Sequence, residues 1–140
     1  MEKELIKNIE KQLQIIKERK NYPEQRVENA LSMTAELCLR LCCIKALKKD
    51  FITVIDGKEE FDFYSAIKEK EVEKVLPPLL LAKIKATVER CEKIADFRKR
   101  TNYKSFYIDE MLDWINGVVE ETKNRVNVYC ERNLQQNSNK

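Results

Sequence analysis

An all-α domain is predicted, on three observations. Of 140 residues only two are glycine and three proline, so turn formers are scarce and helix formers dominate. Apolar residues recur every three or four positions over long stretches. Charged residues reach 36% against 43% apolar, a balance suited to amphipathic helices around one core. The expected architecture is a helical bundle of about five helices, with a small β-hairpin near residues 51–61. A single domain is expected over residues 1–132, followed by a polar, disordered tail over 133–140, NLQQNSNK from Asn133 onward.

From Glu2 to about Lys20, Leu5, Ile6, Ile9, Leu13 and Ile16 mark the buried side of a first helix. Asn21-Tyr22-Pro23 breaks it, and Pro23 suits the first turn of the next, which should run to about Lys48. This second helix is apolar around most of its circumference, from Val27 through Leu47, as a helix enclosed by others must be. Phe51-Ile52-Thr53-Val54-Ile55 is β-branched, and Asp56-Gly57 favours a type I′ turn, so Lys58 to Phe61 reads as a return strand. Asp62 to Val75 is expected as one short helix with Phe63, Ala66 and Ile67 inward, ended by Leu76-Pro77-Pro78. A fourth helix runs from there to about Arg98 on a stripe of Leu80, Ile84, Val88, Cys91 and Ala95. Ser105 caps the last helix, whose buried face is Ile108, Leu112, Ile115, Val119, Val126 and Tyr129.

Composition excludes several functions. The sequence contains no histidine, so no imidazole is available for acid–base chemistry or metal ligation. The two glycines, Gly57 and Gly117, are too far apart for a phosphate-cradling loop. Cys38, Cys42, Cys43, Cys91 and Cys130 sit at apolar positions without Cys-x-x-Cys spacing. They read as buried thiols of a reducing compartment, and the expected location is the cytoplasm. Cys38 and Cys42 lie one turn apart, but without histidine or a second pair no metal is expected, and no cofactor. The charged start MEKELIKNIEKQ is no signal-peptide core, and Glu36, Arg40 and Lys45 interrupt the most apolar stretch, so no membrane contact is expected.

The net charge of +3 is modest, but it is unevenly distributed. Eight basic residues between Lys83 and Lys104 oppose Glu89, Glu92 and Asp96, whereas Glu59 to Glu73 carries six acids against Lys68 and Lys70.

Two constellations stand out. On the central helix Glu28, Ser32, Glu36 and Arg40 recur every four residues as one polar stripe. Its plainest form is an ion pair of Glu36 with Arg40; the alternative is a polar pocket or dimer interface built on those two. The second is Arg90, Lys93, Arg98, Lys99, Arg100, Tyr103 and Lys104, cations mixed with an aromatic that could contact a protein partner or RNA. Cations at a helix C-terminus are also favoured by the macrodipole alone.

The order of features, a proline before the long helix Ala30 to Leu47, then Phe63-Tyr64-Ser65-Ala66-Ile67, then Leu76-Pro77-Pro78, then a helix ending Val88 to Phe97, resembles the HEPN superfamily, closest to its bacterial HEPN-like branch. The resemblance spans about Pro23 to Cys130. It implies a helical bundle that is often dimeric. Active members are metal-independent ribonucleases with an arginine followed four to six residues later by a histidine. Here Arg90 matches, but Asp96 or Phe97 stands where the histidine would fall. The resemblance therefore implies a degenerate member that keeps architecture and contacts, in a bacterial defence, toxin-neutralising or regulatory setting, with Arg90 as a binding residue. The expected function is a non-catalytic interaction module acting through protein contacts, as a homo-oligomer. RNA binding through residues 93–104 and a nuclease using Glu36, Arg40 and Arg90 are the alternatives.

Overall fold

The computed structural model describes the backbone of residues 1–101 and 108–138, with side chains described for 1–92 and 111–134. Among these residues five α-helices and one two-stranded antiparallel hairpin form an all-α bundle. The helices are α1 (Glu2–Lys17), α2 (Glu24–Leu41), α3 (Phe63–Ile67), α4 (Pro78–Thr101) and α5 (Ile108–Ser138). The strands are β1 (Ile52–Ile55) and β2 (Lys58–Phe61).

Helix α2 packs against each of the other four helices and occupies the centre, as its apolar circumference requires. Val27, Ala30, Leu31, Ala35, Leu37, Cys38, Leu39 and Leu41 are buried on it, while Met33 faces solvent. Leu5, Ile9 and Ile16 of α1, Leu80, Ile84 and Val88 of α4, and Ile115, Val118 and Val119 of α5 close the same contiguous core around it. The α1 face also buries Gln12 and Ile15, which the expected stripe did not include. Gln12 remains satisfied, donating to Asn8 Oδ1 at 2.9 Å.

The central helix ends differently from the expected continuous run to Lys48. After Leu41 the backbone widens into a π-turn over Cys42–Ala46, on which Cys42 and Cys43 are both buried. Lys48 then adopts φ 55°, and the Lys49 N–H donates to the Cys43 carbonyl at 3.0 Å. This is the left-handed termination usually given to glycine, here on lysine.

The hairpin forms at the expected place. Asp56 (φ 52°) and Gly57 (φ 80°) make the two-residue turn with positive φ at both positions that matches strand twist. Ile52 pairs with Phe61, Thr53 with Glu60, Val54 with Glu59 and Ile55 with Lys58. Phe51 and Phe61 pack on the core and attach the hairpin to the bundle.

The single helix expected from Asp62 to Val75 is divided. Asp62 caps α3, its Oδ1 accepting from the Ser65 N–H at 3.2 Å and its Oδ2 from the Ser65 hydroxyl at 2.7 Å. The chain turns extended at Glu69 and resumes as a 3-10 turn over Lys70–Lys74. In the charged run from Lys68 to Lys74 Val72 is the only apolar residue. In one continuous helix Val72, Val75 and Leu76 would lie on the face opposite Phe63, Ala66 and Ile67, so the break lets both sets reach the core.

Leu80, Ile84, Val88 and Cys91 are buried on α4 as expected; the side chains of Ala95 and Ile108 and the whole of Ser105 lie outside the described residues. The helical backbone of α5 continues beyond Asn133 to Ser138. No helix of the described residues is long and apolar enough to cross a membrane.

Candidate functional site, a polar seam beside an apolar hairpin

The four stripe residues of α2 run along a seam toward α4, α3 and the hairpin, and their environments diverge along it. Glu28 is buried, with its charge felt by the Cys91 thiol of α4. Ser32 is half-buried on the same side. Glu36 is half-buried with its carboxyl pushed up to about 7, first by loss of solvent and then by the charges of Glu92 and Glu60. Its environment is therefore acidic.

Arg40, expected to pair with Glu36, turns instead to Asp50. Arg40 Nε donates to Asp50 Oδ1 at 3.2 Å and Nη2 to Oδ2 at 2.8 Å. The guanidinium also lies 5.8 Å from the centre of the Phe61 ring. Two parallel hydrogen bonds to one carboxylate outcompete a single contact one helical turn away, because the planar guanidinium matches the carboxylate fork. This pair ties the end of α2 to the segment that leads into β1, so the position of the hairpin depends on it.

Tyr64, on α3, completes the seam. Its hydroxyl donates to Glu92 Oε2 at 2.9 Å, linking α3 to α4. The phenol is pushed up to about 12 by desolvation, by that hydrogen bond, and by the charges of Glu92, Glu89 and Glu36. The acidic side of the seam thus holds Glu36, Glu60, Glu89, Glu92 and one aromatic hydroxyl.

The buried thiols near this arrangement are held protonated. Burial pushes the thiols of Cys38, Cys43 and Cys91 up to about 12 and that of Cys42 further still. All five cysteines are free, with Cys130 only partly buried and its thiol 3.7 Å from the Lys45 carbonyl. Among the described residues no cluster of three or more cysteine, aspartate or glutamate side chains is arranged to hold a metal ion. Glu36 and Arg40 are drawn apart, since Asp50 engages Arg40 whereas the charges of Glu92 and Glu60 act on Glu36.

The basic constellation is described only in part. Arg90 is exposed on α4, where its charge favours the Cys91 thiolate. Lys93, Arg98, Lys99 and Arg100 belong to α4, but their side chains lie outside the described residues, as do Tyr103 and Lys104 entirely.

Sequence reasoning missed Asp50, Tyr64 and Glu92, because their contacts cross between elements 10 to 28 residues apart. It also missed the exposure of β1. Val54 is 66% exposed, Ile55 51% and Ile52 38%, so both faces of this uncharged strand present apolar side chains to solvent. An exposed apolar cluster on a sheet edge is a contact surface more often than a neutral feature. No protein family model, curated protein or solved structure matches this chain.

Proposed function

We propose that the chain is a non-catalytic helical interaction module that works through protein contacts, with the hairpin as its contact element. The observation that carries this reading is the apolar exposure of Ile52, Val54 and Ile55 on a hairpin anchored by the Arg40–Asp50 pair and by Phe51 and Phe61. A loop made for solubility would carry charge at those positions. A hairpin anchored in this way, with exposed β-branched residues, instead offers backbone hydrogen-bonding groups and apolar area together, which is how an extended partner is held. The raised thiols and the separate engagement of Arg40 support a contact role over catalysis. The order of elements that resembles degenerate HEPN-like domains supports the same role, in a bacterial defence, toxin-neutralising or regulatory setting.

The test is a photo-reactive amino acid placed at Val54 in the native host, with an equivalent probe at exposed Lys11 on α1 as control. Discrete protein adducts at position 54 and not at 11 are expected. Adducts to RNA would instead favour the basic segment from Lys93 to Lys104, and cleavage of RNA that disappears in Glu36→Gln would favour the enzyme reading. Either result overturns the contact module.

A further inference from the structure

The outer edge of β1 is shaped for its own copy. We infer that two chains associate through antiparallel pairing of β1 with β1 of a second molecule, joining the two hairpins into one four-stranded sheet. This inference rests on the reading of the chain as a protein-contact module and names its partner.

The geometry fixes which backbone groups are available. The Asp62 N–H donates to the Phe51 carbonyl at 2.7 Å, and antiparallel ladders alternate between bonded and non-bonded pairs. With the observed register, Phe51, Thr53 and Ile55 direct their backbone groups toward β2, and Ile52 and Val54 direct theirs outward. Among the described residues no third strand joins the sheet, so these outward groups face an open edge.

Only outward-facing residues can exchange hydrogen bonds with a new strand, which restricts the registers of a two-fold pairing. The one that overlaps the whole strand sets Ile52 opposite Val54 of the second copy, twice, with Thr53 opposite its own equivalent on the axis. Phe51 then meets Ile55 of the copy. Every cross-strand pair is aliphatic on aliphatic, aromatic on β-branched, or threonine on threonine, the combinations that favour pairing. No charged residue lies between Ile52 and Ile55.

The other edge behaves in the opposite way. The same pairing through β2 would place Glu60 against its own copy on the axis, with Glu59 next to it and Glu36 nearby, and only the outermost Lys58–Asp62 pairs would offset that repulsion. Like charges directly opposite oppose pairing. The β2 edge is therefore protected against a second copy, and the β1 edge is not.

Five residues of edge bury well under the roughly 800 Å² per partner of a stable specific interface. The association is accordingly weak and concentration-dependent. Sedimentation velocity from about 10 µM to about 1 mM should show a monomer passing to a dimer across that range. Thr53→Lys, which sets two ammonium groups against each other on the axis, should weaken association about tenfold or more while leaving the circular dichroism spectrum unchanged. Thr53→Cys in a Cys130→Ser background should form a disulfide-linked dimer under mild oxidation, because non-bonded antiparallel pairs bring Cα atoms to about 4.5 Å. Glu60→Cys in the same background should not. A monomer throughout the range, or a dimer indifferent to Thr53→Lys, overturns the inference. Adducts at position 54 that join this chain only to other proteins would also sink it while leaving the contact-module reading standing. Absence of any protein adduct at 54 removes both.

Discussion

Replacing Glu36 by glutamine tests the electrostatics of the seam. In the unfolded chain this carboxyl ionises near 4.5; in the fold it keeps its proton until about 7, because burial and the charges of Glu92 and Glu60 penalise the anion. Between those values the folded state binds more protons than the unfolded one, so stability falls as pH rises through this window and stays low above it. Each tenfold change in proton affinity corresponds to about 1.4 kcal/mol, giving a ceiling of about 3 kcal/mol for the whole displacement. Glu36 retains some contact with solvent, which screens the charges and reduces the expected effect to about 1–2 kcal/mol. Glutamine preserves the shape and cannot ionise. Glu36→Gln should therefore match the parent protein near pH 4 and exceed it at pH 8, by about 3–6 °C in melting temperature. Thermal denaturation followed by circular dichroism at pH 4, 6 and 8 measures this directly. Glu92→Gln should move the inflection of the parent profile below about 7, since the Glu92 charge acts on Glu36 more strongly than that of Glu60. Parallel pH profiles for parent and Glu36→Gln, or a variant less stable at pH 8, would refute the account of the seam as an acidic, desolvated environment.

Three further outcomes follow from the packing. Leu39, fully buried on the central helix, should cost about 2–5 kcal/mol when truncated to alanine, measured by urea denaturation; a loss under about 1 kcal/mol would mean the helix is not enclosed. In the native protein a disulfide reagent at pH 8 should modify about one thiol, Cys130, and all five only after denaturation, because burial holds the other four protonated and shielded; rapid native labelling of several would contradict that burial. Gly57→Ala should cost about 1 kcal/mol, since a Cβ at φ 80° meets no neighbour but strains the backbone; amide exchange across the hairpin reads the loss, and unchanged protection would count against the turn.

Much of the bundle was legible because each long helix carries its own periodic apolar stripe. The central position of α2 followed from an apolar circumference, and the hairpin from Asp56-Gly57 between β-branched and charged strands. The π-turn was not legible. The apolar character of Cys42 and Cys43 is equally compatible with a regular helix, on which consecutive residues such as Leu37, Cys38 and Leu39 are buried together. The division of the segment after Asp62 was hidden for a related reason: propensity favours continuing the helix, whereas the need to bury Val72 and Val75 favours breaking it, and only tertiary packing decides. The candidate site was legible as a stripe but not as a set of partners. Spacing correctly put Glu28, Ser32, Glu36 and Arg40 on one face, yet Arg40 chose a carboxylate ten residues away over one four residues away. Local spacing counts which charges can meet; it does not weigh a two-point hydrogen bond against a one-point contact.

That choice has a consequence for the hairpin. Had Arg40 paired with Glu36, the stripe would have been neutralised locally and the segment entering β1 would have lost its tie to the end of α2. Because Arg40 takes Asp50, Glu36 remains among Glu60 and Glu92, and the acidity concentrates on the side of the sheet that carries β2. The same pairing therefore does two things: it holds the hairpin against the bundle, and it leaves the Glu36 carboxyl unneutralised beside Glu60 of β2. The uncharged β1 edge is the one left open for contact. An Asp50→Asn change tests both effects at once, since the side-chain shape survives while the charge and one of the two acceptor oxygens are lost. Arg40 then has less reason to face the hairpin and more to face Glu36. The expected result is a hairpin with faster amide exchange and a smaller fall in stability between pH 5 and pH 8 than in the parent protein. Unchanged exchange together with an unchanged pH profile would show that the position of the hairpin and the acidity of the seam are independent of Arg40.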